Sequence, residues 1–159
     1  MAGQIQTQYP LSQERGQVGQ LSRPLAPHDV DRVKIAAGGA GLKPGDAYKL
    51  SGEEAIKIVD LADSVNAYGI LGFEVGTVNK DLAGGTQHTQ GVEYAEGDHA
   101  KVYLSGYVYA IAGGAVVKGA SIGFDPADGK WKALAGTKFV AAAASADGEI
   151  IEVVARVLN

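Results

Sequence analysis

Apolar and polar positions alternate with a period of two through most of this chain, in short runs cut by glycine, aspartate and serine. In the first half, Val33-Lys34-Ile35-Ala36, Ala47-Tyr48-Lys49-Leu50, Ala55-Ile56-Lys57-Ile58-Val59 and Gly69-Ile70-Leu71-Gly72-Phe73-Glu74-Val75 read as strands. Ala100-Lys101-Val102-Tyr103-Leu104 and Tyr107-Val108-Tyr109-Ala110-Ile111 follow, separated by Ser105-Gly106. Ser121-Ile122-Gly123-Phe124, Lys130-Trp131-Lys132-Ala133-Leu134, Phe139-Val140-Ala141-Ala142 and a long closing run from Ile150 to Leu158 complete the series. Successive side chains of a strand point to opposite faces, so alternation bounded by turn residues predicts half-buried strands joined by tight turns. Leu61 to Tyr68 has room for one or two helical turns. The expected fold class is mostly β, a compact barrel or sandwich.

The pattern occurs twice. Leu42-Lys43-Pro44-Gly45 before a strand resembles Val117-Lys118-Gly119 before Ser121-Ile122-Gly123-Phe124. Ser51-Gly52 with Ile56-Lys57-Ile58 resembles Asp128-Gly129 with Lys130-Trp131-Lys132, and Gly69 to Phe73 parallels Gly136 to Ala141. Glu96-Gly97-Asp98 with Lys101-Val102-Tyr103 parallels Asp147-Gly148-Glu149 with Glu152-Val153-Val154. Self-similarity of this kind points to two degenerate β modules of one design. Residues 30–159 are expected to form a single β domain, with module one at about 33–111 and module two at about 115–159.

Two stretches fall outside this pattern. Residues 1–29 carry six Gln and three Pro among scattered apolar residues, too little to offset the cost of ordering the chain. They predict an extended N-terminal arm, which at full stretch reaches on the order of 80 Å. Ile5, Tyr9 and Leu11 are the apolar residues with which such an arm would anchor on a neighbouring subunit. The second stretch, 76–94, contains Gly84-Gly85-Thr86-Gln87-His88-Thr89-Gln90-Gly91 and reads as a long exposed loop inserted in module one. Gln87 and His88 are its candidate partner contacts.

Composition narrows the chemistry. The 159 residues suffice for one domain with a true core, and 23 glycines suit short strands better than long helices. With no cysteine, disulfides and thiolate metal sites are ruled out. A formal charge of -4 argues against a general nucleic-acid binder, which needs clustered Lys and Arg. No apolar run is long enough to suggest a membrane span or signal segment, so a soluble protein made in a cytoplasm is expected.

His28, His88 and His99 have no second ligand at metal spacing, and no serine lies in a nucleophile-elbow context. Gly38-Gly39-Ala40-Gly41 follows a strand but lacks the Gly-Lys-Ser/Thr and the helix of a phosphate cradle. Glu53, Glu54, Asp60 and Asp63 are carboxylates without catalytic spacing. No catalytic, metal or cofactor site is expected. Tyr103, Tyr107, Tyr109 and Trp131 leave a second class open, a carbohydrate-binding β module built on an aromatic strip, with a small β-barrel hydrolase ranked third.

The turn Lys43-Pro44-Gly45-Asp46, with the closing pattern Asp128-Gly129-Lys130, Ala135-Gly136-Thr137, Val140 to Gly148 and Val153 to Leu158, resembles the structural cement, or head decoration, proteins of tailed bacteriophages. The resemblance extends in style over Val33 to Leu158 and is strongest after Val117. It implies a non-enzymatic virion protein, favoured as a homotrimer, on the outside of the capsid. There it would bind over joints between major capsid proteins and reinforce the shell. Neither nucleic acid nor membrane is an implied partner.

Overall fold

The computed structural model describes residues 18–72 and 93–155. Alternating burial at the end of β1 (Asp29–Ile35) directs Val33 and Ile35 inward, and β2 (Ala47–Ser51) and β3 (Glu54–Lys57) bury Ala47, Tyr48 and Ala55. β2 and β3 form an antiparallel hairpin, and β3 then runs parallel to β1 through Lys34↔Glu54 and Ile35↔Ala55. β4 (Gly69–Leu71) pairs with the other side of β2, then with β5 (His99–Ile111), and β5 returns antiparallel to β1. The order β1-β3-β2-β4-β5-β1 is therefore a closed five-stranded barrel. Closure leaves no unpaired edge along the ring, which removes the hazard of a free strand edge.

β5, with 13 residues, is too long for that barrel alone. From Gly106 onward it pairs antiparallel with β9 (Ile150–Ala155), and β9 pairs with β8 (Phe139–Ala141). β6 (Ile122–Asp125) and β7 (Lys130–Ala133) form a second hairpin. Single bridges tie it in at both sides, Ser121↔Val140 antiparallel and Ala112↔Trp131 parallel. These links make a second ring in the same strand order, with β5 common to both. The sequence suggested a break at Ser105-Gly106. Instead β5 is continuous and bends there, with Gly106 at φ +119 and a register slip opposite, between Asp29 and Val30.

The hydrogen bonds of the two rings correspond position by position. Ile35 N–H donates to the Asp98 carbonyl and Ala112 N–H to that of Glu149, each at 2.8 Å. Gly45 N–H reaches the Leu71 carbonyl at 2.7 Å, and Gly119 N–H that of Ala141 at 2.8 Å. Gly72 N–H bonds the Lys101 carbonyl as Ala142 N–H bonds that of Glu152. The acidic turn residue also recurs, since Ala95 N–H donates to Asp98 and Ala146 N–H to Glu149, both at 2.9 Å. Gly45 (φ +89) and Gly119 (φ +86) hold the same left-handed position, which glycine adopts without a Cβ penalty. The hairpins differ in turn length, so Lys130–Ala133 stands opposite Glu54–Lys57. That is two residues earlier than Ile56 to Ile58, the match that the sequence pattern suggested.

One core cluster fills the first barrel with Val33, Ile35, Leu42, Tyr48, Ala55, Leu71, Tyr94, Ala100 and Val102. The other centres on Trp131, whose ring packs on Phe124 at 5.7 Å and on Phe139 at 5.1 Å between centroids. Ala47, Ile70 and Tyr103 from the first barrel join this second cluster, so the two rings share packing as well as a strand. Full burial of a side chain such as Phe139 stabilises by about 1.5–3 kcal/mol.

Residues 19–22 lie within the expected arm but are built into the body. Gly19 N–H donates to the Tyr109 carbonyl at 2.8 Å, Tyr109 N–H to that of Gln20 at 2.9 Å, and Ser22 N–H to that of Tyr107 at 2.9 Å. Leu21, bridged to Val108, packs on the second core. This short segment covers the edge of β5 that faces away from β9.

Candidate functional site

The turn Lys43-Pro44-Gly45-Asp46 sits where the rings meet. Asp46 N–H donates to the Lys43 carbonyl at 3.0 Å, and Lys43 N–H donates back to an Asp46 carboxylate oxygen at 3.0 Å. Trp131 Nε1–H from the second core reaches the Gly45 carbonyl at 3.0 Å, and a Val18 methyl covers Gly45. A pocket of about 510 Å³ opens beside the turn, with Lys43, Asp46, Lys57, Glu93, Ile111 and Phe124 among its lining residues. Burial pushes the Asp46 carboxyl up to about 7, against the lowering effect of the Lys43 N–H and of the Lys43 and Lys57 charges. The described lining carries the carboxyl groups of Asp46, Glu93 and Asp128 and the ammonium groups of Lys43 and Lys57, with no Ser, Thr, Cys or His.

A second surface is the connection from β3 to β4, which wraps a 3-10 turn (Ala62–Asn66). Asp63 holds it: its carboxylate accepts from Lys49 Nζ at 2.6 Å, Val59 N–H at 2.9 Å and Asn66 Nδ2 at 2.9 Å, while its own N–H donates to Asp60. These donors, led by the Lys49 ammonium, keep the Asp63 carboxyl down at about 2. The buried Ser64 hydroxyl donates to the Phe124 carbonyl at 2.7 Å and accepts from Phe124 N–H at 2.9 Å, so the connection is fastened to β6.

Of the residues singled out in the sequence, Ile5, Tyr9, Leu11, Gln87 and His88 lie outside the described residues. The aromatic strip does not form. Trp131 is fully buried and Tyr103 is 2% exposed, leaving only Tyr107 and Tyr109 on the outward face of β5. The parity of Lys130-Trp131-Lys132 turns the indole inward, into the core that needs its bulk. Tyr107 is itself covered by the Arg23 guanidinium, 4.2 Å from its ring centre, which also pairs with Glu152 at 3.2 Å. His28 donates from Nδ1 to the Ala26 carbonyl and His99 opens β5. Among the described residues no group of His, Asp and Glu is arranged to hold a metal ion, and no helix is long and apolar enough to cross a membrane.

Two rings sharing a strand, with joined cores, make the described body a mostly β protein. The family model described as structural cement protein (E217 gp24/Pam3 gp6) matches residues 5–156, and the chain belongs to that family. It is a structural protein of the phage virion, located on the capsid. Among solved structures, it is similar to the head fiber gp8.5 N base of bacteriophage phi29, at 12% identity and a TM-score of 0.37. That similarity covers 82% of this chain and 95% of the other. No curated protein matches the sequence.

Proposed function

We propose that the protein binds the outside of the capsid at joints between major capsid proteins and stabilises the shell against internal pressure, without enzymatic activity. Family membership supports this reading. The observation that carries it is the main-chain docking of residues 19–22 on β5, which fixes the root of the N-terminal segment at the junction of the rings. From there, Ile5, Tyr9 and Leu11 are proposed to reach a neighbour, and Gln87 and His88 in the inserted loop to add contacts. Many copies with modest contacts bind a shell strongly through avidity.

The matching hydrogen bonds support reading the body as one domain of two modules, with β5 divided between them near Gly106. A homotrimer is the assembly proposed for threefold joints, with neither nucleic acid nor membrane as a partner and synthesis in the host cytoplasm. The test is co-sedimentation of the purified protein with undecorated heads. The protein is expected in the pellet, and recovery of all of it in the supernatant would falsify shell binding. Analytical ultracentrifugation of the free protein reports the trimer.

A further inference from the structure

Three of the six large hydrophobic residues exposed among the described residues lie in the eleven-residue connection between β3 and β4: Val59 at 75%, Val65 at 52% and Tyr68 at 45%. Scattered apolar residues on a surface are ordinary. Here, however, a dense set of side-chain hydrogen bonds from Asp60, Asp63, Ser64, Asn66 and Lys49 fixes the backbone while the apolar side chains point out. The matching connection of the second ring, between β7 and β8, is shorter and has no 3-10 turn, so ring closure does not require this one. It leans across the junction: a Val65 methyl lies over Gly136, and Lys138 Nζ donates to the Tyr68 carbonyl.

Lys138 marks the kind of partner. Its ammonium lies 5.2 Å from the Tyr68 ring centre and 5.5 Å from that of Phe139. It belongs to none of the ion pairs among the described residues. Partial burial disfavours its charged form and lowers its pKa. A carboxylate brought to this spot would therefore meet a cation already stripped of part of its water, next to apolar side chains held ready for contact.

We infer that Val65, Tyr68 and Lys138 form a docking face for the major capsid protein, taking a segment that presents an apolar side chain beside a carboxylate. This rests on the cement reading above. The face spans both rings, so its occupation would lock their relative position.

The test compares wild type, Val65→Ser and Lys138→Gln in binding to undecorated heads, with melting curves for each. Val65 is half exposed and Gln retains a donor for the Tyr68 carbonyl, so both variants are expected to melt as wild type does. Each should bind at least about tenfold more weakly, the size of effect expected at a central interface contact. Lys138→Gln should also flatten the salt dependence of binding. Wild-type affinity in both variants overturns this docking face and leaves the cement reading standing. Failure of wild type itself to bind overturns both. A change of oligomeric state in either variant, without loss of head binding, makes the face a contact between copies of this chain and overturns the capsid partner.

Discussion

Trp131 Nε1–H donates to the Gly45 carbonyl at 3.0 Å, so the central side chain of the second core is bonded to the backbone turn that opens β2 of the first barrel. Both partners are buried. Trp131→Phe keeps an aromatic ring against Phe124 and Phe139 but leaves the Gly45 carbonyl without that donor. The lost bond and the smaller ring should lower stability by about 1–3 kcal/mol. Urea unfolding measures this, and the transition should remain single because the rings share β5. Separate transitions would show that the rings unfold independently.

Gly106 is the bend at which β5 passes from one ring to the other, with φ at +119. A Cβ there would lie 2.7 Å from the His28 Cβ and in a conformation that L residues avoid. Gly106→Ala should therefore cost about 1–3 kcal/mol, the usual range for a strained backbone position. Gly129→Ala offers the comparison. It also has a positive φ, +70, but no neighbour within 4 Å of an added Cβ. The expectation is a larger fall in melting temperature for Gly106→Ala than for Gly129→Ala; equal falls would mean that the contact with His28 is unimportant.

The strands were legible because period-two alternation survives in a Gly-rich chain, and Val33, Ile35, Trp131, Ile151 and Val153 all fall on the faces that parity assigns, whereas in β3 Ala55 is buried and Ile56 only half-buried. The repeat was legible from its turns, with a two-residue drift where the second hairpin turn is longer. Ring closure was not legible, since it depends on the parallel pair Lys34↔Glu54, a contact across 20 residues that no local pattern announces. Gly106 signalled an interruption but not its kind, because glycine marks bends and breaks alike. Inward parity of Trp131, flanked by two lysines, was available in the sequence as a warning against the sugar-binding strip. The exposed face around Val65 was hidden for the opposite reason: its polar residues bond to backbone and its apolar ones face solvent, an inversion of the usual pattern.

Asp46 makes stability depend on pH with a definite sign. Its carboxyl keeps a proton up to about 7 in the fold, whereas in the unfolded chain it titrates near its ordinary value of 3.8. Between those values the folded state binds the additional proton, so this contribution to stability falls as pH rises from about 4 to 7 and is constant above that range. In Asp46→Asn the amide oxygen still accepts from Lys43 N–H and no proton is bound. The variant should gain melting temperature relative to wild type as pH rises from 4 to 8. A difference between the two proteins that is flat with pH would assign Asp46 an ordinary pKa.

Truncation at the N-terminus separates the anchored segment from the chain before it. Removing residues 1–17 leaves the bonds of Gly19 and Ser22 to β5 and the Leu21 contact intact, so melting should be unchanged while binding to heads weakens. Removing residues 1–24 is a different experiment, because residues 19–22 of the expected arm are built into the body. It strips three main-chain hydrogen bonds from Tyr107 and Tyr109, together with the Arg23 contacts to Tyr107 and Glu152. At about 0.5–1.5 kcal/mol for each hydrogen bond, the longer truncation should cost a few kcal/mol. It also bares the edge of β5, so association that grows with protein concentration is expected. Calorimetry and ultracentrifugation of the two truncated proteins distinguish these effects. If both melt as wild type does, the 19–22 segment contributes nothing to the fold. If the shorter truncation binds heads at full strength, residues 1–17 have no part in holding the shell.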